Sequence, residues 1–122
     1  MSVPRRQPER AEQQAIVRLL RTLGCAVYVL GTTRPRGDYG GTCQTPGMPD
    51  LYVFLPHGAA LWIEVKAPKG RPRPEQLTFR EHCLGRGHHH IMGGLDAVIA
   101  WLIEHRYLTA HQVPHYRLPK GA

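Results

Sequence analysis

The sequence predicts an α/β protein with the element order α-β-β-β-α-β-α, folded as a single sandwich around a small mixed sheet. Three observations lead there. Apolar residues recur at helical spacing near both ends of the chain, and short β-rich runs lie between them. The chain also holds 122 residues, 42% of them apolar and 20% charged. That length suits one domain with one core, and that composition is globular. Residues 1–122 are therefore read as one domain. Its core runs from about 9 to 105, between a basic N-terminal lead and a polar C-terminal tail.

The first helix is expected over Pro8 to Leu23, where Ala15, Ile16, Leu19, Leu20 and Leu23 fall on one face. Gly24 stands just past its end, where a residue with positive φ closes a helix. Cys25 to Leu30 reads as a strand. Residues 31–49, rich in glycine, proline and threonine, read as a long loop, and long loops in compact domains are often functional. Asp50 to Leu55 and Ala59 to Val65 are two further strands. Pro56-His57-Gly58 between them is turn chemistry, so 50–66 reads as a hairpin. Pro68 to Pro74 is a basic loop, and Pro74 is placed to open a helix through Leu84. His88 to Met92 forms a fourth strand, Gly93-Gly94 interrupts, and Leu95 to His105 is the last helix. From Arg106 onward the tail, with Pro114 and Pro119, is expected to be loosely ordered.

Sixteen Lys and Arg against nine Asp and Glu give a formal charge of +7 and an isoelectric point near 9.8. Such an excess in a small domain points to a polyanionic partner, nucleic acid first. The cations gather at Arg5/Arg6/Arg10, Arg18/Arg21 and Arg34/Arg36, and above all in Lys66-Ala-Pro-Lys69-Gly-Arg71-Pro-Arg73. No apolar run reaches the ~18 residues of a membrane-spanning helix. The basic N-terminus has no apolar stretch behind it, so no signal peptide is expected. Three cysteines without CxxC spacing fit a reduced protein, and a cytoplasmic location is expected. No phosphate loop of the GxxxxGK[ST] type occurs, so no nucleotide cofactor is expected.

Strand alternation sets Leu61, Ile63 and Val65 on one face and Trp62, Glu64 and Lys66 on the other. In a hairpin Asp50, at the head of the neighbouring strand, can converge with Glu64 at one end of the sheet. Two carboxylates that close are unfavourable unless a cation neutralises them, and hard oxygen ligands suit Mg²⁺ or Mn²⁺. A lysine two residues along completes a set suited to phosphodiester hydrolysis. The cation polarises the phosphate and acidifies a water, and the ammonium orients that water or stabilises developing charge.

Gly47-Met-Pro-Asp50 followed by Trp62-Ile-Glu64-Val-Lys66 resembles the PD-(D/E)XK nuclease signature. The surrounding phrases GMPDLYVF, LWIEVKAPKG and PEQL resemble the VRR-NUC branch of that superfamily, over about Glu9 to Trp101. The resemblance implies a restriction-endonuclease-like fold and catalytic roles for Asp50, Glu64 and Lys66. It implies a metal held by Asp50, Glu64 and the Val65 carbonyl, and a supporting or phosphate-contacting role for Gln76. It also implies an acid on the first helix. Glu9 is favoured because it lies on the stripe of Gln13, Ile16, Leu20 and Leu23; Glu12 shares a stripe with Ile16 and Leu19 and stays open. For stand-alone members, phage-encoded ones among them, it implies a homodimer cutting branched DNA such as four-way junctions.

Lys69, Arg71 and Arg73 follow the active strand directly and suit DNA phosphates, with Arg34 and Arg36 approaching from the long loop. Tyr39 on that loop is a candidate for stacking on a base. His88, His89 and His90 alternate across a strand, so they do not converge on one metal ion. Trp101, Leu102 and Cys83 read as core. Two other functions stay open: a DNA-binding module without nuclease activity, and a flap or single-strand nuclease that needs a partner.

Overall fold

The computed structural model describes residues 6–30 and 45–115. Helix α1 spans Arg6–Thr22 and is followed by β1, Ala26–Val29. The helix stops where expected, because Gly24 takes φ +88°. Cys25 N–H then reaches back to Leu20 O and Gly24 N–H to Arg21 O, both at 3.0 Å, the paired closure that a left-handed residue permits.

Strands β2 (Leu51–Phe54) and β3 (Ala60–Val65) flank a tight turn at Pro56–Gly58. His57 there adopts φ 70°. Helix α2 runs over Pro74–Gly85, β4 over His89–Gly93 and α3 over Leu95–Glu104. The four strands lie in the order β1-β2-β3-β4. The first three are antiparallel and β4 joins β3 in parallel. The parallel pair needs a crossover, and α2 supplies it.

One face of the sheet carries the core. Ile16, Leu19 and Leu20 of α1 and Leu95, Val98, Ile99 and Leu102 of α3 pack on Leu51, Val53, Leu61, Ile63 and Val65. Fully burying each such side chain contributes about 1.5–3 kcal/mol. Helix α2 covers the other face more thinly, with Cys83 as its only buried residue. Along that face runs an aromatic row in which Tyr52 stacks on Trp62 at 4.1 Å and Phe79 of α2 meets Trp62 edge-on at 5.2 Å. Phe54 and Tyr28 extend the row and are about half exposed.

The core reaches beyond residue 105. Leu108 and Val113 are buried in it, and a short 3₁₀ helix spans Ala110–His115. Two apolar residues in a polar stretch give little periodicity, yet they suffice to dock the segment. Among the described residues, no helix is long and apolar enough to cross a membrane.

Candidate active site

The site lies on the α2-covered face, at the end of the sheet where β3 and β4 finish. Register pairs Leu51 with Ile63, so Asp50 and Glu64 stand at the next position of the same two strands. Asp50 is fixed by its backbone and its carboxylate together. Its carbonyl accepts from Leu30 N–H at 2.7 Å, and its Oδ2 accepts from Val65 N–H at 2.8 Å. The turn before it, Gly47-Met48-Pro49, presses on the first turn of α2. Gly47 has φ +90°, and a Cβ there would collide with the Glu75 carbonyl. Glycine is thus required by conformation and by space.

Glu64 is 3% exposed. Its Oε2 accepts from Gln76 Nε2 at 3.0 Å and lies 3.7 Å from Lys66 Nζ. Its Oε1 is buried and receives no hydrogen bond from a donor, with the Asp50 carboxyl as its side-chain neighbour. Burial, and then the Asp50 carboxylate beside it, push the Glu64 carboxyl up to about 8. Lys66 opposes the shift and Glu9 adds to it. A buried carboxyl whose second oxygen has no donor lacks the compensation that such groups normally have. A hard divalent cation would supply it, and Mg²⁺ or Mn²⁺ fits this pair of carboxylates. Asp50 and Glu64 would hold it. The Val65 carbonyl belongs to the same strand end, where the Val65 N–H already serves Asp50.

Gln76 has two tasks. Pro74 opens α2 after the extended Arg73, and Gln76 Oε1 accepts from Arg73 N–H at 2.8 Å. That is the backward half of a capping box. The same amide then donates its nitrogen to Glu64.

The two acids of α1 part ways. Glu12 Oε1 accepts from Leu95 N–H at 2.6 Å, bridging 83 positions of sequence. It supplies the cap that Gly94 at the start of α3 has no side chain to provide. A Cβ on Gly94 would collide with that carboxylate. Glu9 acts on Glu64 through its charge. Among the described residues, no three His, Cys, Asp or Glu side chains gather as a metal cluster.

Lys69, Arg71 and Arg73 are exposed on the loop that leaves β3. Arg34, Arg36 and Tyr39 lie outside the described residues, as does Cys43. His88, just before β4, is exposed, and on β4 His89 is half-buried and His90 buried. Burial, and then Arg80, lower the His90 imidazole to about 4, so it is neutral under α2, where Phe79 packs on it. Cys83 is buried and its thiol donates to His89 O at 3.6 Å, a packing role.

Sequence reasoning missed the Glu12 cap and the dual use of Gln76. The second had a signal in the Pro74-Glu75-Gln76 run, since proline at the first helical position and Gln at the third mark a capping box. The first had none, because donor and acceptor are far apart in the chain.

No family model matches the chain. A curated protein named "Putative nuclease p44", from Acyrthosiphon pisum secondary endosymbiont phage 1, is 31% identical over 75 residues. That match covers 59% of this chain and 81% of the phage protein. A solved structure described as a VRR_NUC domain is similar at a TM-score of 0.62 and 31% identity. It covers 80% of this chain, and this chain covers 96% of it.

Proposed function

Because the chain belongs to the VRR-NUC domain family, we propose that it is a metal-dependent DNA endonuclease in which Asp50, Glu64 and Lys66 carry the chemistry. The observation that carries this reading is the buried Glu64 beside Asp50, with one oxygen that no donor serves and the other close to Lys66. A bound Mg²⁺ or Mn²⁺ would polarise the scissile phosphate and acidify a water.

The protein's own residues do the rest. Val65 N–H and Gln76 Nε2 hold the two carboxylates in place before substrate arrives. Preorganised groups of this kind need no rearrangement during reaction. Lys66, part-buried at the rim, is in reach to orient a water or to stabilise negative charge growing on the phosphate. Lys69, Arg71 and Arg73 would grip the backbone next to the cut without reading sequence.

The substrate we propose is branched DNA such as a four-way junction, cut by a homodimer. The support is symmetry: cutting two strands of a junction in a paired way needs two sites, which a homodimer provides. The location of action we propose is the cytoplasm.

The test is cleavage of labelled four-way junction, flap, duplex and single-stranded DNA, each with Mg²⁺, Mn²⁺ or EDTA. Asp50→Ala and Lys66→Ala serve as controls. Metal-dependent, paired cuts across a junction are expected, reduced on the order of a hundredfold or more in both variants. Sedimentation at twice the 13.7 kDa chain mass is expected alongside. Binding without cleavage under every metal would overturn the nuclease reading and leave a DNA-binding module.

A further inference from the structure

A second basic surface lies on the outer side of α1, away from the loop beside the carboxylates. Arg10, Gln14, Arg18 and Arg21 recur at helical spacing, and all four are exposed. The two acids of the helix face elsewhere, with Glu12 bonded to Leu95 and Glu9 acting on Glu64. Among the described residues the ion pair is Lys66 with Glu64, so none of the three guanidinium groups has an acidic partner. Like charges three or four residues apart weaken a helix. A face shaped for solubility alone would intersperse acids at that spacing.

Shape and direction add to the charge. Between α1 and β1 lies a groove of about 770 Å³, lined by Gln13, Gln14, Val17, Arg18, Arg21 and Val29 among others. Helix α1 begins at the carboxylate end of the sheet, where Glu9 acts on Glu64 and Glu12 meets Gly94 beside the Lys66 carbonyl. From Arg10 to Arg21 the helix advances about 16 Å at 1.5 Å per residue. That matches about five base-pair rises of 3.4 Å along the axis of a duplex.

We propose that this face of α1 is a track for the phosphate backbone of a duplex arm leading away from the cut. The inference rests on the nuclease reading above and extends it to the substrate's flank. Arginine forks and amide side chains both donate to phosphate oxygens without sequence preference. Among the described residues the groove is lined by no aromatic side chain, whereas single-strand channels rely on aromatic stacking. A double-stranded arm is the occupant this chemistry fits.

The test compares the wild-type chain with two triple variants, Arg10/Arg18/Arg21→Gln and Arg10/Arg18/Arg21→Glu. Binding to junctions with arms of about four and about fifteen base pairs is titrated against salt in EDTA, with circular dichroism to verify folding. Each lost phosphate contact lowers the salt slope by about 0.9, so both variants are expected to lose about two to three units of slope. The affinity loss is expected to grow with arm length. An unchanged slope overturns the track, as does a loss equal on short and long arms. A change seen with Glu but not with Gln also overturns it, since that is repulsion at a distance rather than lost contact. If the wild type cuts and only the track fails, the nuclease reading stands. If the wild type cuts nothing under any metal, that reading fails first.

Discussion

Glu64 is where stability and chemistry oppose each other most directly. Its buried carboxyl is held up to about 8 in the metal-free fold, against an ordinary value near 4.5. A group whose folded value is raised contributes stability that is complete below its unfolded value and is lost as pH rises through the folded one. In EDTA the melting temperature is therefore expected to fall between about pH 4.5 and 8. Glu64→Gln can still accept from Gln76 and has no charge to bury, so its melting curve should lack that fall, and the variant should be inactive. Thermal scans across pH test this directly, and an identical pH dependence in both proteins would refute it. The neighbouring groups follow the same logic. Lys66 offsets part of the strain, and the Val65 N–H takes one oxygen of Asp50, which lowers the repulsion across the pair.

At the level of elements, α1 and α3 are joined by a side chain as well as by apolar packing. Glu12 caps α3 from α1, and the lack of a side chain at Gly94 leaves room for its carboxylate. A cap of this type contributes about 1 kcal/mol. Glu12→Gln keeps an accepting oxygen and is expected to retain both stability and cleavage, whereas Glu12→Ala should lose about that 1 kcal/mol in chemical denaturation. If Glu12→Gln abolished cleavage while folding normally, Glu12 would be a metal ligand and its capping role secondary. Most of the elements were legible beforehand, because periodicity places Ile16, Leu19 and Leu20 on one stripe and alternation separates Ile63 from Glu64. Gly24, Pro56 to Gly58 and Pro74 mark the boundaries by conformational rules that act locally. The links between elements were not legible. The Glu12 contact with Leu95 depends on how two helices cross over the sheet, and the docking of Leu108 and Val113 depends on space left at the end of α3. Neither leaves a pattern within a window of sequence.

For the molecule as a whole, the two faces of the sheet are held very unequally. Helices α1 and α3 seal one face with a continuous apolar core, while α2 buries little besides Cys83 and leaves Leu77 and Leu84 exposed. The proposed catalytic groups Asp50 and Glu64 sit on the thinly held side. Motifs such as Gly47-Met-Pro-Asp50 and Glu64-Val-Lys66 made the site's composition readable, since strand alternation alone brings Asp50 and Glu64 to one end. What they did not reveal is that the amide steadying Glu64 also starts α2. Cooperative units of a fold open at different free energies, and those with little apolar burial open first. Opening of the first turn of α2 would break the Gln76 contacts with Arg73 and Glu64 together. Heat inactivation is thus expected to begin below the global melting transition, with amide hydrogens of α2 exchanging well before those of β2 and β3. The enzyme would then behave as one that loses its working end while its scaffold is still folded, and cooling would restore activity without a refolding lag.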